Sequence, residues 1–347
     1  MTRRFAALLS GSALLLAVAA CNNDSTSIET KTEDVTPAYS QGEQGYLGAH
    51  VHVMPLKSQA QEAHAKAKPG GGGTSGNTGI FYHGGPVLNS SRPTRVVAIY
   101  WSRTAAIYQG GPVPGNGSAG TAIQDGSLVG HFLRNLGGSP YFNINTTYTD
   151  GGGKVANSVE YRGYFADNVN APSGTTSVSD AQIQAEIARS FPAYPNDGHT
   201  IYVVFTEGKV NLGGGFGTQY CAYHGHFSSG GHDVLFAAQP YNYAYPSACT
   251  NGSISPNGDP GADAEVSTLA HEIEEAATDP NLNAWFDRRG YENADKCAWT
   301  WGSTSTASNG GLYNMTLGGK NFLVQRNWIN QGSGGCFKGL TTSGTIS

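Results

Sequence analysis

Charged residues are scarce in this chain: of 347 residues only 13% are Asp, Glu, Lys or Arg, about half the usual quarter. No cluster of Lys and Arg stands out and the formal net charge is −5, which argues against a nucleic-acid binder. Apart from Phe5–Ala20 there is no sustained apolar run, which excludes a multi-span membrane protein. No internal repeat, collagen-like period or heptad pattern is present, so solenoids, triple helices and coiled coils drop out. The absence of C-x-x-C removes a Cys-zinc knuckle and a thioredoxin-like redox motif. There is no G-x-S-x-G elbow, and the glycine-rich stretch Asn211–Gly217 lacks the Lys-Ser/Thr of a phosphate-binding loop.

Glycine is abundant instead, with 49 residues, about twice the usual frequency of roughly 7%. Hydrophobic residues make up 38% and aromatics 10%, enough for a sizeable core, so the glycine excess reads as turns and loops around a folded body.

Thr2-Arg3-Arg4 followed by the apolar Phe5–Ala20 has the form of an export signal. Val18-Ala19-Ala20-Cys21 resembles the bacterial lipobox, whose cysteine becomes the lipid-modified N-terminus, and polar Asn22-Asn23-Asp24 follows at once. Loss of residues 1–20 removes Arg3 and Arg4 and no acid, leaving 18 basic and 25 acidic residues, a net −7. With Cys21 lipidated, Cys221, Cys249, Cys297 and Cys336 remain, an even number suited to an oxidising compartment. Three connectivities exist; Cys221–Cys249 with Cys297–Cys336 closes the shortest loops and is preferred.

Residues 21–78 read as a lipid-anchored flexible tether or a pro-segment. Within them 46–58 alternate apolar and polar, so a short strand is possible, and His50, His52 and His64 look incidental. The folded domain is expected over 79–347. Its best strands are Arg95–Trp101, Thr200–Thr206 and Asp233–Ala238, apolar on both faces, with Lys320–Arg326 weaker. Helices are expected at 119–136, at 179–191 behind the capping pattern Ser179-Asp180-Ala181-Gln182, and at Asp263–Ala277. This mixed order predicts an α+β or three-layer α/β domain with a central mixed sheet.

The third helix carries the chemistry. Val266, Leu269, Ala270, Ile273 and Ala277 form an apolar stripe, and His271 and Glu275 project side by side at i and i+4. From Asp259 to Asp287 there are eight acids and no Lys or Arg, a concentration that calls for a cation or for shifted pKa values. His271-Glu272-x-x-Glu275 has the form of the zincin helix H-E-x-x-H with Glu for the second His. His271 and Glu275 are the expected zinc ligands and Glu272 the base that activates water. Glu292, 17 residues after Glu275, is the first candidate for the third ligand, Asp295 the second and Asp279 the third. His224 is a further ligand, a proton donor to an oxyanion, or a residue that simply hydrogen-bonds in a glycine-rich loop, with Tyr223 and Tyr291 weaker candidates for the donor role. Read against these roles is a solvated acidic helix face with a satisfied histidine.

The residues Ser255–Asp263, Ser267–Glu272, Thr278-Asp279-Pro280, Asn283-Ala284-Trp285 and Glu292–Cys297, with Cys221-Ala222-Tyr223-His224 upstream, resemble the EXORDIUM/phosphate-induced protein family over roughly 79–340. Plant members are apoplastic and linked to growth signalling, and lack the His-Glu pair at the positions of 271 and 272. This sequence is similar to a bacterial branch carrying H-E-x-x-E-x-x-T-D-P, which implies a zincin-like metal site. The expectation is therefore an exported zinc metallopeptidase of the bacterial envelope, lipid-anchored or secreted, with one Zn²⁺ per chain and an extracellular peptide or protein as substrate. Membrane contact is through the lipid alone, and no oligomer is implied. The alternatives are a non-catalytic surface binding or signalling protein with a structural metal, and a Ca²⁺-stabilised module, disfavoured by a histidine among the acids.

Overall fold

The computed structural model describes residues 50–66, 79–104, 108–111 and 115–347. The signal segment 1–20, the lipidation site Cys21 and most of the tether lie outside the described residues.

The β-branched, two-sided apolar runs form a seven-stranded mixed sheet. In chain order its strands are β1 (His50–Pro55), β2 (Thr94–Trp101), β3 (Asn116–Thr121), β4 (Val159–Asp167), β5 (Thr200–Phe205), β6 (Tyr220–Ser229) and β7 (His232–Gln239). Their spatial order is β1-β6-β7-β5-β2-β4-β3. The centre is parallel, β7 with β5, β5 with β2 and β2 with β4, whereas β1, β6 and β3 pair antiparallel at the two sides. Parallel strands need both faces covered, and both are. Four helices complete the frame: α1 (Lys57–Lys66), α2 (Leu128–Leu136), α3 (Asp180–Arg189) and α4 (Pro260–Thr278). Apolar residues of α2 and α4 pack with Val96, Ala98, Ile201, Val203, Leu235 and Ala237 on one face. Ile183 and Ile187 of α3 and Ala60 of α1 pack with Val97, Ile99, Tyr202, Val204 and Phe236 on the other. The fold is α+β, layered on both sides of the sheet.

The folded body reaches back further than the expected start at Gly79. β1 is an edge strand of the central sheet, and His64 on α1 hydrogen-bonds the Ala298 carbonyl at 2.9 Å. The helix expected at 119–136 is shorter, because Gly117 and Gly120 belong to the edge strand β3 and the chain turns at Asp125-Gly126. Ser127 then caps α2, its hydroxyl accepting from the Gly130 N–H at 2.9 Å. Lys320–Phe322 pairs with Met315–Leu317 in a separate hairpin rather than with the main sheet. Both disulfides form in the preferred pairing, Cys221–Cys249 and Cys297–Cys336, with Cα separations of 5.4 and 5.5 Å. The first ties β6 to the helical turn Pro246–Cys249. The second ties the loop after α4 to the strand Gly335–Phe337. Among the described residues no helix is long and apolar enough to cross a membrane.

Candidate metal centre

α4 begins at Asp259, whose carboxylate accepts from the Ala262 N–H at 3.1 Å, with Pro260 in the first turn where its missing N–H costs nothing. Gly261 permits a close approach: a Cβ there would lie 2.4 Å from the Tyr241 hydroxyl. The expected stripe of Val266, Leu269, Ala270, Ile273 and Ala277 joins the core. Every residue from Gly261 to Thr278 is buried, which disposes of a solvated acidic face.

The helix thereby holds His271 and Glu275, one turn apart, against the sheet. His52 on β1 stands directly opposite His224 on β6, their ring centroids 5.7 Å apart. The loop Glu292–Cys297 supplies the remaining side. His271 Nε2 lies 3.1 Å from Glu275 Oε1 and 3.3 Å from Asp295 Oδ1. His224 Nδ1 lies 3.0 Å from Glu272 Oε2 and 3.5 Å from Glu275 Oε2, and its Nε2 is 3.7 Å from Glu292 Oε2. His52 Nδ1 is 3.6 Å from Glu292 Oε1, and its Nε2 is 2.5 Å from Asp295 Oδ2. Backbone groups add to the frame, the Asp295 N–H donating to Glu275 Oε1 at 3.0 Å and the Glu292 N–H to Asp295 Oδ2 at 3.3 Å. Three imidazoles and four carboxylates thus occupy one volume, Asp295 being 6% exposed and the others 2% or less.

Taking that many ionisable groups out of water is costly unless they are paired, protonated or bound to a metal. Burial pushes the pKa values of Glu272 and Glu292 well above the carboxylate range, and Glu275 rises for the same reason. Burial acts upward on Asp295 too, but the facing His52 and His271 outweigh it and hold that carboxyl low. Burial lowers both of those histidines. The Asp295 charge more than offsets it at His52, as Glu275 and Asp295 do at His271, and both end above the ordinary imidazole value. At His224 burial dominates, reinforced by the other two histidines, and holds the ring's pKa well below the ordinary imidazole value. Hydrogen bonding leaves several buried atoms without partners: both ring nitrogens of His271, His224 Nε2, His52 Nδ1, Glu272 Oε1, Glu275 Oε2 and Asp295 Oδ1. Ligands of a tetrahedral ion bound at about 2.0–2.1 Å stand roughly 3.3 Å apart. The contacts of 3.0–3.7 Å bracket that spacing. Residues and spacing fit a divalent cation such as zinc.

The rest of the acidic segment does other work. Glu265 accepts from the Asn242 N–H at 2.7 Å, Glu274 from Asn327 Nδ2 at 2.5 Å and Asp263 from Asn257 Nδ2 at 2.7 Å. Asp279, the third candidate ligand, instead closes the turn after α4, accepting from the N–H groups of Asn283 and Ala284 at 2.6 and 2.7 Å and from that of Trp285 at 3.3 Å. Tyr223 packs with the core on the opposite face of the sheet, as strand alternation requires. Tyr291 carries the Arg289 guanidinium 4.6 Å over its ring.

Glu272, His271, Glu275, Glu292, Asp295 and His224 therefore come together, and sequence reading missed His52. The available signal was the alternation His50-Val51-His52-Val53, which puts Val51 and Val53 in the core and His52 on the face of β1 toward α4.

The conserved region of phosphate-induced protein 1 matches residues 138–333, more than half of the chain. That span takes in every residue of the cluster except His52. The chain is 26% identical over 300 residues to Protein EXORDIUM-like 5 of Arabidopsis thaliana, covering 74% of this chain and 77% of that protein. It is also 36% identical over 87 residues to Protein EXORDIUM-like 3 of the same plant, covering 21% of this chain and 26% of that relative. No solved structure matches. The match over more than half of the chain assigns it to the phosphate-induced protein 1 family, with EXORDIUM-like relatives.

Proposed function

We propose that this chain is an exported, zinc-dependent metallopeptidase, lipid-anchored at Cys21 to a bacterial envelope or secreted. The observation that carries the reading is the set of orphaned, buried ligand atoms around His271 and Glu275. His271, Glu275 and Asp295 would hold the ion, with Glu292 beside them. His52, hydrogen-bonded to Asp295 Oδ2, orients that ligand in the way outer partners of metal sites do. Zinc at such a site supplies Lewis acidity and a more acidic water. The chain's own contribution is proton handling. Glu272 has one oxygen held by His224 Nδ1 and the other without a hydrogen-bond partner, so Oε1 is the atom that takes the proton when a peptide carbonyl is attacked. His224 fixes the orientation of that carboxylate through the 3.0 Å contact of its Nδ1 with Oε2.

The test is metal content and peptide hydrolysis together, wild type beside His271→Ala and Glu272→Gln. The expected result is zinc diminished in the first variant, and zinc retained at His271, Glu275 and Asp295 with hydrolysis abolished in the second. One observation favours a second reading. His271, Glu272, Glu275 and Glu292 have no solvent exposure at all, as befits a closed structural ion in a non-catalytic surface protein. Wild-type protein that binds zinc and melts higher with it, yet cleaves no peptide in a broad substrate library, would establish that reading instead.

A further inference from the structure

The cluster holds more ligand atoms than a single ion can use, and their arrangement divides in two. His271 Nε2 lies 3.1 Å from Glu275 Oε1 and 3.3 Å from Asp295 Oδ1, while His224, Glu272 and Glu275 offer ligand atoms within 4.8 Å of one another. Glu275 is the residue the two triads share. Its oxygens face different ways: Oε1 is 3.1 Å from His271 Nε2, whereas Oε2 is 3.5 Å from His224 Nδ1. Glu292 repeats the pattern, with Oε1 3.6 Å from His52 Nδ1 and Oε2 3.7 Å from His224 Nε2. A carboxylate whose two oxygens reach two separate groups of ligands is placed to bridge paired cations, which in two-metal sites lie about 3.5–4 Å apart.

Charge points the same way. Glu272, Glu275, Glu292 and Asp295 carry four negative charges when ionised, and their positive partners among the described ion pairs are histidines. One dication leaves two of those charges in a water-free volume; two dications with neutral imidazoles leave none. Independent of the acidic count, the buried His271 Nε2, Asp295 Oδ1, Glu272 Oε1 and Glu275 Oε2 lack hydrogen-bond partners.

We propose that the centre takes two divalent cations bridged by Glu275: the first at His271, Glu275 and Asp295, the second at His224, Glu272 and Glu275. This rests on the metal-site reading above and extends it. The second ion uses Glu272 as a ligand, and so removes it as a proton acceptor. Its occupancy is therefore a brake on hydrolysis.

The test is Zn²⁺ titration of the purified, chelator-stripped chain by calorimetry, with bound zinc counted by elemental analysis at saturation. Wild type is expected to take up two ions per chain. Glu272→Gln and His224→Gln are each expected to take up one. One ion in wild type at saturation overturns the second site and leaves the first standing. A second ion that persists in both variants, with circular dichroism matching wild type, overturns it too, because the extra ion is then elsewhere. No zinc in any form overturns the metal reading of the preceding section, and this one with it.

Discussion

His52 offers the sharpest test of the structure, because the sequence places it in a tether and the fold places it in the centre of the cluster. Replacing it with Ala deletes the 2.5 Å contact to Asp295 Oδ2 and leaves a carboxylate that is only 6% exposed with the Glu292 N–H on that oxygen and His271 beside the other. Breaking a buried charged pair from one side costs about 3–5 kcal/mol, since the remaining charge stays buried. For a domain of this size about 2 °C is lost per kcal/mol, a drop of roughly 6–10 °C in melting temperature. His52→Gln keeps an N–H donor without the charge. It should recover about 1.5–3 kcal/mol, the worth of a hydrogen bond to a charged group. Melts followed by circular dichroism in excess EDTA keep metal linkage out of the comparison. A His52→Ala protein melting within about 2 °C of wild type would refute the placement of β1 in the sheet. Equal losses for Ala and Gln would refute the hydrogen bond as the cause.

Glu186 supplies a pH-dependent prediction away from the metal cluster. Burial, reinforced by the neighbouring Asp167 charge and only partly opposed by Arg189, raises its pKa from 4.5 to about 7. An acid whose folded pKa is raised binds its proton more tightly in the native state, so its contribution is most favourable below about pH 4.5 and falls as pH rises to about 7. Glu186→Gln should match wild type near pH 4 and exceed it by roughly 2–3 kcal/mol at pH 8, read from urea midpoints; a constant difference across pH would contradict the assignment. Replacing Cys297 and Cys336 by Ser opens a loop of 39 residues, worth about 4 kcal/mol in chain entropy. Because that bridge anchors the loop carrying Glu292 and Asp295, zinc affinity should fall along with the melting temperature. Loss of stability with zinc binding unchanged would separate the disulfide from the site.

How much of this was legible in the sequence depends on how local each signal is. α4 was readable because its apolar stripe and its i, i+4 pair lie within one stretch of chain, though it starts at Pro260 behind the cap Asp259, a turn before the expected Asp263. The parallel strands β2, β5 and β7 were readable because burial on both faces leaves continuous β-branched and aromatic runs. β6 was not, since Tyr220–Ser229 carries Cys, His and Gly where a core strand ordinarily carries Val and Ile. The same composition is what fits β6 to its position, facing α4 with His224 and joining Pro246–Cys249 through Cys221. β1 was legible as a short strand within 46–58, but its place in the sheet was not: its pairing with β6 spans more than 170 residues of sequence, from His52 to His224, and no local pattern encodes a partner at that distance. The eight acids show the converse limit. Charge spacing along one helix cannot tell Glu274, whose partner is Asn327, from Glu275, whose partners include two histidines. The difference is the one helical step between them, about 100° of rotation. That step turns Glu275 toward the sheet-borne His224, and Glu274 toward the side-chain amide of Asn327 on the short strand Asn327–Ile329.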